Sequence, residues 1–373
     1  MTWKVESNEL IKYEGGLIKR VGNAISVTNK ILASAEPKLI PYRRKDKWGY
    51  CTPAKEIVID CVYSQTSSFI HGLGGVEKNT KWGFIDLNGN EKIQCIYDMW
   101  HLPKINLIGI EQNGKWGFID FDGNKVVDTI FSEAGLFFND LCKVKINEKY
   151  GFINEFGEII IPIVYEEAFD FSHGLAAVKL NEKYGFINVT GEIKIDFRFL
   201  AAFGFDNDVS YSRIFNEKNA MGFINLMGEI KINCEYLYGN DFSDGLSMVV
   251  SERKRKHGFI DKENNVVIDF IYDQAESFSE NIAGVKMNNN WGLIEKSGKL
   301  ISDFIFERIY YGFNEGLCGV KQNNKWGFID KGCDMIIPPI YDYVGEFKNG
   351  IAYVKFDSKG GYIGKSGVQY WED

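Results

Sequence analysis

A pair made of a large residue, most often Trp or Tyr, and a glycine recurs along this chain at a nearly constant interval. The glycines from Gly49 to Gly327 are separated by 34, 34, 34, 34, 37, 36, 34 and 35 residues. The pairs are Trp48-Gly49, Trp82-Gly83, Trp116-Gly117, Tyr150-Gly151, Tyr184-Gly185, Met221-Gly222, His257-Gly258, Trp291-Gly292 and Trp326-Gly327. A period of this size is typical of a small structural unit that is copied and stacked, because one copy cannot bury its apolar face alone.

The same spacing continues to both ends of the 373-residue chain in a weaker form. Gly16-Leu17-Ile18 and Gly361-Tyr362-Ile363 fit the unit, but Gly15 and Gly360 stand where the large residue is expected. We therefore predict one repeat domain over 1–373 with about ten or eleven units. It would have a degenerate N-terminal cap at about 10–40, regular units at about 41–345 and a degenerate C-terminal cap at about 346–373.

The unit itself reads as a three-stranded antiparallel meander. In the copy that begins at Phe171, strands are predicted at 174–180, 184–188 and 192–197, and Asn- or Gly-containing turns separate them. No segment has the 3.6-residue apolar period of a helix. The predicted fold class is all-β.

A glycine follows the paired glycine by six residues in most units, at a turn that needs a positive φ. The turn opens with Asp86, Asp120, Asp261 and Asp330 in some units and with Asn154, Asn188 and Asn225 in others. A carboxylate row could indicate metal binding or catalysis. We interpret it as turn capping, because asparagine replaces aspartate freely and is a poor general base.

The units Lys81 to Asn90 and Lys325 to Asp330 closely resemble the WG repeat, also called the KWG repeat, of bacterial proteins. The resemblance extends to Ile96-Tyr97-Asp98 and to the Phe-Ser-x-Gly-Leu segment at 171–175. It implies a β-rich module without a defined set of catalytic residues, so no active site is carried over. Met221 and His257 depart from the repeat pattern in two adjacent central units.

Two arrangements of the units are open. Ten or eleven sheets exceed the four to eight blades usual for a closed propeller, and the two degenerate ends have the character of caps. These features favour an open curved or superhelical stack. The alternative is a closed propeller-like ring.

Composition limits the function classes. The net charge of −8 argues against nucleic-acid binding, and neither a signal-like start nor a membrane-length apolar run is present. Seven scattered cysteines without a Cys-x-x-Cys pair indicate reduced core thiols. The four histidines lack metal-site spacing, and no nucleophile or phosphate-loop motif occurs. We expect a cytoplasmic, monomeric, non-enzymatic protein without cofactor, metal, nucleic acid or membrane partner.

The predicted function is a scaffold that binds a protein or peptide through its long repeat surface. Arg253, Lys254, Arg255 and Lys256 are the candidate contact for an acidic partner, because this run is dense and basic and lies where the period lengthens. The competing interpretation is an ordinary solvated hairpin tip. A lysine precedes most of the glycine pairs and could form a second basic row, or could simply end each hairpin.

A carbohydrate-binding or polysaccharide-related protein is the alternative function, since aromatic residues make up 15% of the chain. Sugar binding needs aromatic faces that are exposed beside polar groups. Solvent exposure of Trp82, Trp116 and Trp326 therefore separates the two functions.

Overall fold

A computed structural model describes residues 38–102 and 106–373, together with the backbone of three strands between residues 3 and 21. Every regular element in these residues is a β-strand, so this part of the chain contains no helix that could cross a membrane. The predicted all-β fold class is confirmed. The predicted N-terminal cap at about 10–40 lies largely outside the described residues.

The strands form successive antiparallel units, numbered here in chain order, preceded by a small N-terminal sheet of β1 (Trp3–Glu6), β2 (Glu9–Glu14) and β3 (Leu17–Val21). Unit 1 contains β4 (Ile40–Arg44), β5 (Lys47–Cys51), β6 (Ile57–Tyr63) and the final strand of the chain, β41 (Trp371–Glu372). Unit 2 contains β7 (Gln65–Thr66), β8 (Gly74–Lys78), β9 (Lys81–Ile85) and β10 (Glu91–Tyr97). Unit 3 contains β11 (Met99–His101), β12 (Leu107–Gln112), β13 (Lys115–Asp120) and β14 (Lys125–Phe131). Unit 4 contains β15 (Glu133–Phe138), β16 (Leu141–Ile146), β17 (Lys149–Ile153) and β18 (Ile159–Tyr165).

Unit 5 contains β19 (Glu167–Ala168), β20 (Leu175–Leu180), β21 (Lys183–Asn188) and β22 (Ile193–Phe199). Unit 6 contains β23 (Ala201–Phe205), β24 (Ser212–Phe215), β25 (Met221–Ile224) and the long β26 (Ile230–Gly239), whose end continues into unit 7 with β27 (Ser247–Ser251), β28 (His257–Ile260) and β29 (Val266–Tyr272). Unit 8 contains β30 (Gln274–Ala275), β31 (Ile282–Met287), β32 (Asn290–Glu295) and β33 (Leu300–Phe306). Unit 9 contains β34 (Arg308–Asn314), β35 (Leu317–Gln322), β36 (Lys325–Asp330) and β37 (Met335–Tyr341), and unit 10 contains β38 (Tyr343–Val344), β39 (Ile351–Phe356) and β40 (Lys359–Gly364).

Most units thus have four strands, where the sequence predicts three. The extra strand is the first one, and in units such as unit 5 it is only two residues long, at Glu167–Ala168. Such a segment is too short to show the alternating pattern by which a strand is recognised in a sequence. We call the turn between the second and third strands the central turn, and the turn between the third and fourth strands the final turn.

The paired glycine has a packing reason in unit 5. A Cβ added to Gly185 would lie 2.7 Å from the carbonyl oxygen of Ile195. The third and fourth strands shift register on both sides of Phe186, which is the pattern of a β-bulge. Glycine is required here because the bulged fourth strand approaches the third strand too closely for any side chain.

The final turn follows the predicted capping chemistry. The Asn188 side-chain oxygen accepts hydrogen bonds from the backbone N–H groups of Thr190, at 3.1 Å, and Glu192, at 2.9 Å. Gly191 closes the turn with a φ of 81°, a conformation that glycine adopts without steric cost. The turn-capping interpretation of the Asp and Asn row is confirmed.

The core lies between units. In one example, Phe152 of unit 4 and Phe171 at the start of unit 5 meet with ring centroids 4.8 Å apart. Ten clusters of buried side chains join successive units in this way. Ten units in an open stack have nine interfaces, so the tenth cluster means that the described array closes on itself.

The tenth cluster joins the two ends of the array. It packs Ile40 and Tyr42 of unit 1 against Ile351 and Tyr370, while the opposite side of unit 1 packs against unit 2 through Tyr50. The strand β41 completes unit 1 by pairing in parallel with β4. Of the two arrangements considered from the sequence, the structure has the ring, and the C-terminal unit has neighbours on both sides.

Candidate functional site

The predicted contact at Arg253, Lys254, Arg255 and Lys256 forms the central turn of unit 7, which we call the basic hairpin. Lys254 pairs with Asp269 at 3.1 Å, and Lys256 pairs with Asp273. The side chain of Arg253 is exposed and lines a shallow cleft of about 550 Å³. The structure therefore divides the run into two arginines that form no ion pair within the described residues and two lysines that are already paired.

Three of the lysines before the glycine pairs have the same environment. Lys81, Lys256 and Lys325 each pair with the acidic residue seventeen positions later, Asp98, Asp273 and Asp342 respectively. These pairs hold the pKa of each aspartate below its usual range. The lysine row is thus at least partly neutralised by its own units, as expected for residues that end a hairpin.

The Trp residues whose exposure distinguishes the two predicted functions are neither fully exposed nor fully buried. Trp82, Trp116 and Trp326 are half-buried. Each has an aromatic neighbour: Trp100 at 6.0 Å, His101 at 4.9 Å and Tyr310 at 6.0 Å between ring centroids. These rings stabilise the units by edge and tilted contacts, so the regular Trp positions do not themselves favour sugar binding.

Where tyrosine replaces this Trp, its hydroxyl has a specific partner. Tyr150 donates to Glu133 at 2.9 Å, and Tyr184 donates to Glu167 at 2.6 Å. The hydrogen bond from Tyr184 is the main reason that the pKa of Glu167 is lowered. The replacement of Trp by Tyr in units 4 and 5 therefore accompanies a glutamate on the neighbouring first strand.

Met221 and His257, which depart from the repeat pattern in the two central units, are both buried. Met221 is fully buried. His257 is buried, and its Nε2 lies 2.8 Å from the hydroxyl of Tyr238. Burial lowers the pKa of His257. Met221 therefore packs in the core between units 6 and 7, whereas the contact of His257 with Tyr238 lies within unit 7.

The lengthened loop of unit 6 is organised by one carboxylate. Asp206 is buried and accepts hydrogen bonds from the backbone N–H groups of Asp208, Val209, Ser210 and Tyr211. Its pKa is raised, with burial as the largest cause. The inserted residues form a fixed loop because the carboxylate satisfies four backbone donors.

The remaining candidates for chemistry are metal-ligating side chains and thiols. Residues 38–102 and 106–373 contain no group of three or more His, Cys, Asp or Glu side chains that could hold a metal ion. Burial raises the pKa of the Cys51, Cys142 and Cys318 thiols, which makes them poor nucleophiles.

The final turns carry a surface feature that the sequence reasoning missed. In units 2 to 6, one or both tip residues are apolar, and most of them are exposed, up to 68% at Phe156 and 74% at Met227. We call this set the apolar arc: Leu87, Phe121, Phe156, Val189, Leu226 and Met227. In units 7 to 10 the first tip residue is a lysine: Lys262, Lys296, Lys331 and Lys365. Comparing the tip positions between repeats reveals this switch in the sequence alone.

The tips of the apolar arc lie next to one another around the ring. A Cβ added to Gly191 would lie 3.5 Å from Ile161 of unit 4, and one added to Gly228 would lie 3.0 Å from Ile195 of unit 5. Each final turn thus packs on the fourth strand of the preceding unit. The first residues of these strands, Ile159 and Ile193, are also more than half exposed.

Comparison with known proteins gives one family and one fold. A family model described as WG containing repeat matches residues 48–82, 82–116, 116–150, 150–184, 184–215, 221–254, 258–291, 291–326 and 326–359. No curated protein matches the chain. Among solved structures, the chain is similar to the eukaryotic initiation factor, with a TM-score of 0.52 and 8% identity over 90% of this chain and 95% of that chain. It is also similar to BamB from Moraxella catarrhalis, with a TM-score of 0.39 and 9% identity over 78% and 92%.

Proposed function

This chain belongs to the WG-repeat family, and we propose that it is a non-catalytic scaffold that binds a protein or peptide through the apolar arc. The observation that carries the proposal is the run of apolar tips in five consecutive final turns. Turn tips are ordinarily polar, because they face water. A contiguous set of exposed apolar side chains is typical of a surface that another molecule covers.

The partner that fits this surface has an apolar face. Phe156 and Met227 are the most exposed members of the arc. Covering two such side chains removes enough apolar surface from water to stabilise a complex by about 1.5–3 kcal/mol for each. Aromatic and methionine side chains are also enriched at protein interfaces, where methionine adapts to irregular surfaces.

The basic hairpin is a separate proposed contact. The basic hairpin comes just before strand β28, and the tip lysine Lys262 comes just after that strand. The basic hairpin and the final turns therefore lie at opposite ends of the strands. An acidic partner at the basic hairpin would meet Arg253 and Arg255. We place the scaffold in the cytoplasm, because all seven cysteines are free thiols.

Affinity capture with matched variants tests the role of the apolar arc. Wild type, Phe156→Ser with Met227→Ser, and Lys262→Ser with Lys296→Ser are immobilised and exposed to lysate of the source organism. A partner identified by mass spectrometry is then purified, and its Kd is measured for all three proteins. We expect more than a tenfold loss of affinity for the apolar double variant and little change for the lysine variant.

Folding of each variant is checked by its thermal unfolding curve. The substitutions lie at exposed tips, so the melting temperatures should match that of wild type. Equal affinity of the wild type and the Phe156→Ser, Met227→Ser protein for the captured partner would place binding elsewhere on the molecule.

A further inference from the structure

The seam between units 10 and 1 differs from the other interfaces at two positions. Gly360 replaces the large residue of the glycine pair, and Tyr353 of β39 lies over it, leaving no room for a Cβ. Tyr353 pairs across the sheet with Tyr362. Its counterparts in five other units are small: Gly75, Gly109, Ala177, Gly284 and Gly319.

These changes place aromatic rings in an unbroken row across the seam. Successive ring centroids are 6.0, 6.0, 6.4, 5.5 and 6.1 Å apart. The row runs through Trp326, Tyr310, Tyr343, Tyr353, Tyr362 and Trp48. The rings meet at steep angles, such as 84° between Trp48 and Tyr362, so the row presents ring faces and edges in alternation.

A cleft of about 480 Å³ opens beside the end of this row. This volume is within the roughly 300–1,000 Å³ of small-molecule sites. Trp48, Tyr353 and Tyr362 supply its aromatic lining, and Asp46 and Gln65 supply polar groups. Gly360, which stands where most units have a large residue, and Tyr353 both line the cleft.

The polar groups of the cleft are largely uncommitted. Tyr353, Tyr362, Asp46 and Gln65 line the cleft, and none of their side chains forms a hydrogen bond to another residue in the described ranges. Burial raises the pKa of Tyr362 to about 12, so its hydroxyl is protonated and able to donate. The Thr66 hydroxyl, which also lines the cleft, is buried and has no hydrogen-bond partner among the described residues, and such a group favours a ligand that supplies one.

The charges of the cleft balance. Arg43 pairs with Asp373 at 2.8 Å, and Lys359 pairs with the same carboxylate at 3.1 Å. The lining itself holds the cations Arg43 and Lys359 and the carboxylate Asp46, and Asp373, paired with both cations, supplies the second negative charge beside it. This arrangement favours a neutral ligand over a strongly charged one.

We propose that the seam cleft binds a neutral carbohydrate. A sugar ring has apolar C–H faces that pack on aromatic rings, and its hydroxyl groups both donate and accept hydrogen bonds. The two tyrosine hydroxyls, the Gln65 amide and the Asp46 carboxylate provide both kinds of partner at one place. This site is independent of the apolar arc.

Binding is tested with four neutral disaccharides, maltose, cellobiose, lactose and chitobiose, by ligand-observed NMR and titration of Trp fluorescence. Tyr362→Phe is the informative variant, because phenylalanine occupies the equivalent position in other units, for example Phe186 and Phe328. It removes one hydroxyl and keeps the packing. Tyr353→Phe provides a second test, and Tyr150→Phe in unit 4 is the matched control.

We expect at least one disaccharide to bind, and both seam variants to lower its affinity by about threefold to tenfold. Tyr150→Phe should bind like wild type. The proposal is overturned if none of the four sugars binds, or if the bound sugar has the same affinity for wild type and both seam variants. Melting temperatures of the seam variants close to that of wild type show that a lost signal comes from the site.

Discussion

Replacing Arg43 with alanine should weaken the closure of the ring far more than the same change at its neighbour Arg44. The Arg43 side chain is 5% exposed, whereas Arg44 and its partner Glu372 are both more than half exposed. Both arginines pair with residues at the end of the described chain. They therefore form a matched pair of substitutions that differ mainly in burial.

The expected magnitude follows from the contacts of Arg43. Its guanidinium donates to the carbonyl oxygen of Gly360 at 2.6 Å, to the carbonyl of Lys45 and to Asp373 at 2.8 Å. Removal of one partner from a buried, hydrogen-bonded ion pair costs about 3–5 kcal/mol. The half-exposed side chain of Asp373 places the effect at the lower end, about 3 kcal/mol. The exposed Arg44 pair contributes about 0–1 kcal/mol.

Hydrogen exchange measures closure directly, since opening of the seam exposes the amides that join β4 and β41. A loss of about 3 kcal/mol corresponds to roughly hundredfold faster exchange in these strands. Arg44→Ala should change exchange by less than tenfold, and exchange within unit 5 should not respond to either variant. The reasoning fails if Arg43→Ala accelerates exchange at the seam no more than Arg44→Ala does.

Three further variants test the unit and its surface. Gly185→Val should lower the free energy of unfolding in urea by about 1–3 kcal/mol, because the new side chain overpacks against the fourth strand. Gly204→Val should be near neutral, because an added Cβ there meets no atom within 4 Å. Gly16, the equivalent glycine in the N-terminal cap, lies outside the described residues. Tyr184→Phe should cost about 0.5–1 kcal/mol. The lowered pKa of Glu167 stabilises the fold above the pKa of the unfolded state, and this contribution is lost as pH falls through the folded-state pKa. The variant should therefore lose less stability than wild type below pH about 4. Identical plots of stability against pH in this acid range would contradict the prediction. In the basic hairpin, replacing Arg253 and Arg255 with serine should slow association with an acidic partner and flatten the salt dependence of its rate. Replacing the paired Lys254 and Lys256 with serine should have a smaller effect. If wild type and the arginine variant associate at equal rates in stopped-flow mixing at low salt, the hairpin is ordinary solvated surface.

The repeat unit could be predicted because each of its features has a local cause. Gly185 is fixed by the close approach of Ile195, and Asn188 by the turn whose N–H groups it caps. These requirements act within one unit and recur in most of the regular units. A single sequence therefore samples them many times.

The first strand and the closure of the ring lack such local signals. The first strand of unit 5 is two residues long, and closure depends on the rotation between units, which no single unit encodes. The contacts that join the ends link residues far apart in the sequence, such as Arg43 and Asp373, which are 330 positions apart. The expectation of an open stack came from the number of blades in known propellers. That number carries no information about the contacts that close this particular ring.

In a ring of similar units, a residue that departs from the repeated pattern without a packing requirement is a candidate for a functional role. Met221 and His257 depart from the pattern, but both are buried, and His257 Nε2 lies at hydrogen-bond distance from Tyr238, so each departure has a structural role. Most of the apolar tips remain exposed, and the hydroxyls of Tyr353 and Tyr362, which also depart from the pattern, form no hydrogen bond to another described residue. Because a structural role explains the first kind of departure and leaves the second kind unexplained, the apolar arc and the seam cleft are the places where binding by this protein should be sought.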